Sequence, residues 1–102
     1  MFTFNLSIIT AEGQVYSKAV KFMTAPGQEG SVGVLANHAP LMSLLRPGVI
    51  KIVEPENQEL YAAIDQGVIE VNDKHDVLVL GGQAFLTADE TQARKKALSF
   101  ME

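Results

Sequence analysis

Residues 28–42 read QEGSVGVLANHAPLM and constrain the architecture more than any other part of the chain. Val32 to Leu35 form a short apolar run between two clusters of residues that break regular structure. Gly30 permits backbone angles that a side chain would forbid, and Pro40 keeps the residue before it out of the helical region. These residues therefore predict a short strand between two tight turns, with His38 at one of the turns.

Short apolar runs separated by turn signals continue on both sides. Phe2, Phe4, Leu6 and Ile8 alternate with polar residues, which puts four apolar side chains on one face of a strand. Further runs follow at residues 15–23, 41–45, 49–53, 60–64, 68–71 and 77–80. We interpret 60–64 and 68–71 as one hairpin. Such spacing predicts a mainly β fold, an antiparallel β-sandwich or barrel of about eight to ten short strands.

The last residues of the chain change to a helical pattern. Thr87 and Glu90 have the spacing of a capping box, with Thr87 as the N-cap, and helix formers follow without a breaker. Ala93 and Ala97 fall on one face of that segment. We predict one short C-terminal α-helix. The chain then divides into a β-sandwich domain at residues 1–86 and a short helical segment at residues 87–102.

Composition excludes several classes of protein. One hundred and two residues suit a single domain, and a net charge of −4 argues against binding to nucleic acid or to anionic lipid. No run of 18 apolar residues is present, so we expect no direct membrane insertion. The first residues lack the pattern of a secretory signal. Without cysteine, the chain has neither disulfides nor thiolate metal ligands.

Candidates for catalytic chemistry are few. His38 is the strongest, but a nucleophilic set needs a hydroxyl and an acid beside it, and the sequence does not indicate either. We interpret His38 as a turn residue that bonds to backbone or faces a partner, and His75 as a solvated turn residue. A metal site needs three or four converging ligands, and no spacing suggests one. We therefore expect no catalytic residue, metal or cofactor.

The glycines at positions 27, 30 and 33 have a spacing that also occurs in phosphate-binding loops. Such a loop needs a following helix, whose backbone amides face the anion. Here an apolar strand and then Pro40 follow instead. We interpret these glycines as residues that permit tight corners.

Two runs lack the alternation of an ordinary sandwich strand. Residues 41–45 and 77–80 are apolar on both faces, whereas an antiparallel strand normally has one polar face. Either the C-terminal helix or a loop covers the second face, or a partner does, because extended apolar patches commonly mark interfaces. One short helix is small for two such strands. This pattern favours a binding protein over an enzyme.

Three segments together resemble one known family. EGSVGVLANHAPLM at residues 29–42, LLRPGVIKI at 44–52 and AIDQGVIEV at 63–71 are similar to the epsilon subunit of the F-type ATP synthase. The resemblance runs from about residue 6 to residue 94. It implies a non-catalytic rotor subunit of the central stalk, which joins the gamma subunit to the c-ring and couples proton translocation to ATP synthesis.

The resemblance also implies a location and particular contacts. Such a subunit lies at the cytoplasmic face of the bacterial inner membrane, or at the organellar equivalent, in the peripheral sector of the complex. The family's loop that contacts the c-ring corresponds to Glu29, Gly30 and Ser31. The side that faces gamma corresponds to His38, Met42 and Ser43. Family members typically continue into a two-helix hairpin, relative to which residues 87–102 are truncated.

A second function remains open from the residues themselves. Lipoyl and biotinyl carrier domains are small β-sandwiches that expose a modified lysine on a hairpin. Asp73 and Lys74 lie in a predicted turn of this kind. The alternative is therefore a small carrier domain modified at Lys74.

Overall fold

A computed structural model describes residues 2–102; Met1, the first residue of the predicted sandwich domain, lies outside the described residues. The described chain forms ten strands and a C-terminal helix. The elements are β1 (Phe4–Thr10), β2 (Gly13–Val20), β3 (Phe22–Gly27), β4 (Gly30–Leu35), β5 (Leu41–Leu45), β6 (Gly48–Val53), β7 (Glu59–Ile64), β8 (Gly67–Val71), β9 (Val77–Gly81), β10 (Ala84–Thr87) and α1 (Glu90–Phe100).

The strands form one continuous sheet that folds into two layers. The first layer has the order β10-β7-β6-β3, with β4 paired to β3, and the second has the order β5-β8-β9-β1-β2. The layers join where Gly27 of β3 pairs with Leu45 of β5. The paired strands are antiparallel except for β1 and β9. These two run parallel and place Leu6 opposite Val77. The predicted mainly β sandwich with a short helix is confirmed, with one parallel pair in it.

The core lies between the two layers. Phe4, Leu6 and Ile8 of β1 are buried, as the alternation predicts, whereas Phe2 is exposed. Burial of each large apolar side chain contributes about 1.5–3 kcal/mol to folding. Both layers supply fully buried side chains, which include Met23, Ile50, Ile52, Ile64, Leu45, Ile69 and Val79.

The predicted hairpin between residues 60–64 and 68–71 is wrong. β7 pairs with β6 and β10, whereas β8 pairs with β5 and β9, so the chain crosses between layers at residues 65–67. The Asp65 side chain stabilises this crossover by hydrogen bonds. Its Oδ1 accepts backbone N–H groups from Gln66 at 2.6 Å, Gly82 at 3.1 Å and Gln83 at 3.0 Å. Turn residues indicate a change of direction, but they do not specify which strand pairs with which.

Two other boundaries differ from the prediction. Residues 15–23 are not one strand, because the chain passes from β2 to β3 at Lys21, whose backbone N–H donates to the Val53 carbonyl at 2.9 Å. The N-cap of α1 is Asp89, not Thr87. The Asp89 carboxylate accepts the backbone N–H of Thr91 at 2.9 Å, while the Thr87 hydroxyl accepts that of Asp89 at 3.0 Å.

Helix α1 packs on the first layer, against β6, β7 and β10. Ala93 and Ala97 are buried in this contact, on the face that the helical pattern predicts. In the described part of the chain, no helix has both the length and the apolar character needed to cross a bilayer.

Tyr16 connects β2 to the loop after β6. Its hydroxyl donates to Glu54 Oε2 at 2.6 Å. Burial of the phenol is the larger cause, and this hydrogen bond to a carboxylate the second, that raises the pKa of Tyr16 well above its usual range. A raised pKa in the folded state means that this stabilisation is complete below about pH 10 and is lost as the pH rises further.

We expect Tyr16→Phe to lower the free energy of unfolding by about 1–2 kcal/mol near neutral pH, because the Glu54 carboxylate loses a donor. The variant should also lose less stability than the parent between about pH 9 and about pH 11, because it has no phenol to ionise at this site. Urea denaturation at both pH values measures the two effects. Equal losses of stability in both proteins at the higher pH would contradict the assignment of this effect to the Tyr16 phenol.

Candidate partner-binding surfaces

The loop that was predicted to contact a c-ring forms the tip of the hairpin between β3 and β4. Glu29, Gly30 and Ser31 are all exposed there. Gly30 has a φ of 137°, which side chains rarely permit. The backbone N–H of Gln28 donates to the Leu44 carbonyl at 3.0 Å, which anchors the hairpin tip to the end of β5.

His38 lies near the other end of β5, where its turn meets the turn between β8 and β9. Nδ1 of His75 lies 3.0 Å from the His38 carbonyl oxygen, and Nδ1 of His38 lies 2.6 Å from the Ala39 carbonyl oxygen. Within residues 2–102 no hydroxyl or carboxylate bonds to the His38 ring, so the geometry is that of a turn residue. His75 is half-buried and bonded, so its interpretation as a solvated residue is wrong.

An apolar surface lies on the second layer, on the side away from the core. Met42 and Leu44 of β5 are 68% and 55% exposed, and Leu80 of β9 is 47% exposed. The strand register places them in two rows across β5, β8 and β9. We call this surface the outer face. Its residues are Met42, Glu70 and Leu78 in one row and Leu44, Val68 and Leu80 in the other.

The helix does not cover the outer face. Because α1 packs against β6, β7 and β10 of the first layer, it lies on the other side of the sandwich. Cover of the doubly apolar strands by the helix is therefore wrong, and the exposure of Met42, Leu44 and Leu80 shows that no loop within residues 2–102 covers them either. This exposure leaves the outer face open to a partner.

The residues predicted to face gamma do not all lie on this surface. Met42 points outward, whereas Ser43, its neighbour along β5, lies on the opposite side of the strand beside the buried Ile69. His38 lies in the turn before β5 rather than on the strand. Only Met42 of these three predicted residues therefore contributes a side chain to the outer face.

Two residues of the outer face, Val68 and Glu70, were missed by the sequence analysis. The signal that could have revealed them is the alternation along β8, where Val68 and Glu70 point outward and alternate with the buried Ile69 and Val71. The predicted hairpin paired this strand with residues 60–64, whereas it pairs with the strand that carries Met42.

A concave groove of about 450 Å³ lies between α1 and the first layer. Each cation in its lining already has a partner. Arg94 pairs with Glu90 at 2.6 Å, Lys51 with Glu59 at 3.6 Å, and Arg46 Nε lies 3.3 Å from a backbone carbonyl. Residues 2–102 contain no group of three or more histidine or acidic side chains that could hold a metal ion. The outer face is therefore the stronger candidate site.

Comparison with known proteins identifies a family. Residues 3–87 match the family described as ATP synthase, Delta/Epsilon chain, beta-sandwich domain. The chain is 36% identical over 97 residues to the ATP synthase epsilon chain of Bordetella avium, covering 95% of this chain and 68% of that one. It is 39% identical over 97 residues to the epsilon chain of Nitratiruptor sp., covering 94% and 75%.

Solved structures agree in fold. A chain in the cryo-EM structure of the Euglena gracilis mitochondrial ATP synthase OSCP/F1/c-ring assembly has a TM-score of 0.81 at 23% identity, with 97% of this chain and 63% of that chain covered. A chain in the Tetrahymena thermophila mitochondrial ATP synthase central stalk/c-ring structure has a TM-score of 0.65 at 17% identity, with 80% and 65% covered. This chain thus spans less than two thirds of either solved chain.

These matches confirm the resemblance that the three sequence segments indicated. They also confirm that a chain of this kind is one subunit of a larger ATP synthase rather than an enzyme on its own. The chain therefore belongs to the delta/epsilon family of ATP synthase subunits, whose β-sandwich domain it contains.

Proposed function

We propose that this chain is a rotor subunit in the central stalk of a proton-translocating ATP synthase. In this role it joins the gamma subunit to the c-ring and couples proton translocation to ATP synthesis. The observation that carries the proposal is the open outer face on a member of this family. Burial of apolar surface contributes about 25 cal/mol per Å² of favourable free energy. A complex in which a partner covers Met42, Leu44 and Leu80 is therefore stabilised.

The two contacts lie at different places on the sandwich. The outer face binds gamma, and the tip of the β3–β4 hairpin, with Glu29 and Ser31, contacts the c-ring. The bond from Gln28 to Leu44 supports this arrangement, because it ties the hairpin tip to the strand that carries Met42. Ser31 has no charge, so we expect it to make a hydrogen bond with the ring rather than an ion pair.

In this proposal residues 1–86 form the domain that binds gamma and the ring, and residues 87–102 form a short helical segment. The assembled subunit would lie at the cytoplasmic face of a bacterial inner membrane, or at the organellar equivalent. It would belong to the peripheral sector of the complex.

The carrier function has less support. Lys74 is exposed in the turn between β8 and β9, and its backbone N–H donates to Asn72 Oδ1 at 2.9 Å, an arrangement common to many turns. Membership in the ATP synthase family favours the rotor function. The intact mass of the protein from its native source tests the alternative, because a lipoyl or biotinyl group on Lys74 would increase it.

Co-elution tests the rotor function directly. We expect the purified chain to elute with purified gamma subunit in size-exclusion chromatography, and the pair to be retained by c-rings in detergent. Glu29→Ala with Ser31→Ala should weaken retention by the ring but leave the gamma complex intact, because the hairpin tip lies outside the outer face. Failure of the parent chain to elute with gamma would contradict the proposal.

A further inference from the structure

Glu70 is the one charged residue among the six that form the outer face. In the strand register it lies between Met42 of β5 and Leu78 of β9. The ion pairs found within residues 2–102 do not include it. A half-buried carboxylate thus lies inside an apolar surface, with no protein partner in the described chain.

The oxygens of this carboxylate are accessible to water in the free chain. In the described structure no buried side-chain oxygen or nitrogen lacks a hydrogen-bond partner, so the Glu70 oxygens must reach solvent. A partner that covers Met42 and Leu78 would remove that water. An ionised carboxylate that loses its water without gaining a partner is strongly destabilised. The docking surface must therefore supply a group that replaces the water.

A second copy of this chain does not meet that requirement. If two outer faces packed together about a two-fold axis, each would bring a carboxylate into the same apolar interface, and like charges there are unfavourable. A cation on a different protein would meet the requirement, because it can replace the water around the Glu70 carboxylate. Arginine suits the site best, because its planar guanidinium can donate two parallel hydrogen bonds to one carboxylate.

We propose that Glu70 selects the partner of the outer face. The surface that docks there is apolar and carries one arginine or lysine that pairs with Glu70. This inference rests on the proposed function, in which the partner is the gamma subunit. Met42, Leu44 and Leu80 contribute the burial of apolar area, and Glu70 fixes the register in which the two proteins meet.

Binding of the purified chain to gamma, measured by titration calorimetry, tests this inference. Glu70→Gln should weaken binding about tenfold or more, and Glu70→Lys about a hundredfold or more, because the second change opposes two cations. Glu59→Gln is the matched control. Glu59 is an exposed carboxylate on β7 in the other layer, so its loss should leave the affinity unchanged.

A charge exchange identifies the partner's cation. Each lysine and arginine of gamma is replaced in turn by glutamate and tested against Glu70→Lys. One such variant should recover binding at least tenfold. Recovery by none of them, or affinity of Glu70→Gln equal to that of the parent, would overturn the inference while leaving gamma as partner. No binding by the parent chain would overturn the proposed function and this inference with it.

Discussion

Replacing Met42 by glutamate is expected to weaken binding to gamma by about 2 kcal/mol or more, which is roughly a thirtyfold loss of affinity. Met42 is 68% exposed in the free chain and lies opposite Glu70, so the new carboxylate would join an existing one in a surface that loses its water on docking. The fold should survive, because the side chain points away from the core. Titration calorimetry with gamma, together with urea denaturation, measures both quantities.

Leu98→Glu is the control for that experiment. Leu98 is also a largely exposed apolar residue, but it lies on α1, which packs on the other layer. The same change of chemistry at this position should leave the affinity for gamma unchanged. Normal affinity in the Met42 variant, with normal stability, would mean that gamma does not bind the outer face.

Replacing Gly67 by alanine is expected to lower the free energy of unfolding by about 3 kcal/mol, and the melting temperature by about 15 °C. Gly67 pairs with Gly81 at the start of β8, directly after the crossover between the two layers. A Cβ atom at this position would overlap the backbone carbonyl oxygen of Leu80, which is not the end of a flexible side chain. The two strands would have to separate.

Gly33→Ala tests whether the effect is steric. Gly33 also lies within a strand, but its added Cβ would meet only the Phe22 ring, at 3.8 Å, which is ordinary contact. We expect its unfolding free energy to stay within about 0.5 kcal/mol of the parent. Thermal unfolding followed by circular dichroism compares the two variants. Similar melting temperatures for both would show that the backbone at Gly67 relaxes.

Local patterns were enough to predict most strands and the helix. The alternation of Phe4, Leu6 and Ile8 indicated the buried face of β1, and the spacing of Ala93 and Ala97 indicated the buried face of α1. Apolar residues on both faces of the strand at 41–45 indicated that something must cover its second face, but left open whether the helix, a loop or a partner does so. Each of these signals depends on neighbours along the chain, which a single sequence displays directly.

Pairing between distant strands could not be predicted in this way. The turn at residues 65–67 looks like the end of a hairpin, yet it carries the chain from one layer to the other. Glu70 was missed for the same reason, since its importance comes from Met42 and Leu78, which lie on two other strands. Only the sheet order shows that a carboxylate lies in the middle of an apolar surface.

The parallel pairing of β1 with β9 has a consequence for how the chain folds. Leu6 meets Val77 across about seventy residues of sequence, so this contact requires the closure of a long loop. The hairpin of β1 and β2 has local contacts and can form early, but one edge of β1 stays open until β9 arrives. During synthesis that edge is a site for mispairing with other chains. Closure of the second layer is therefore expected to be a late and slow step of folding.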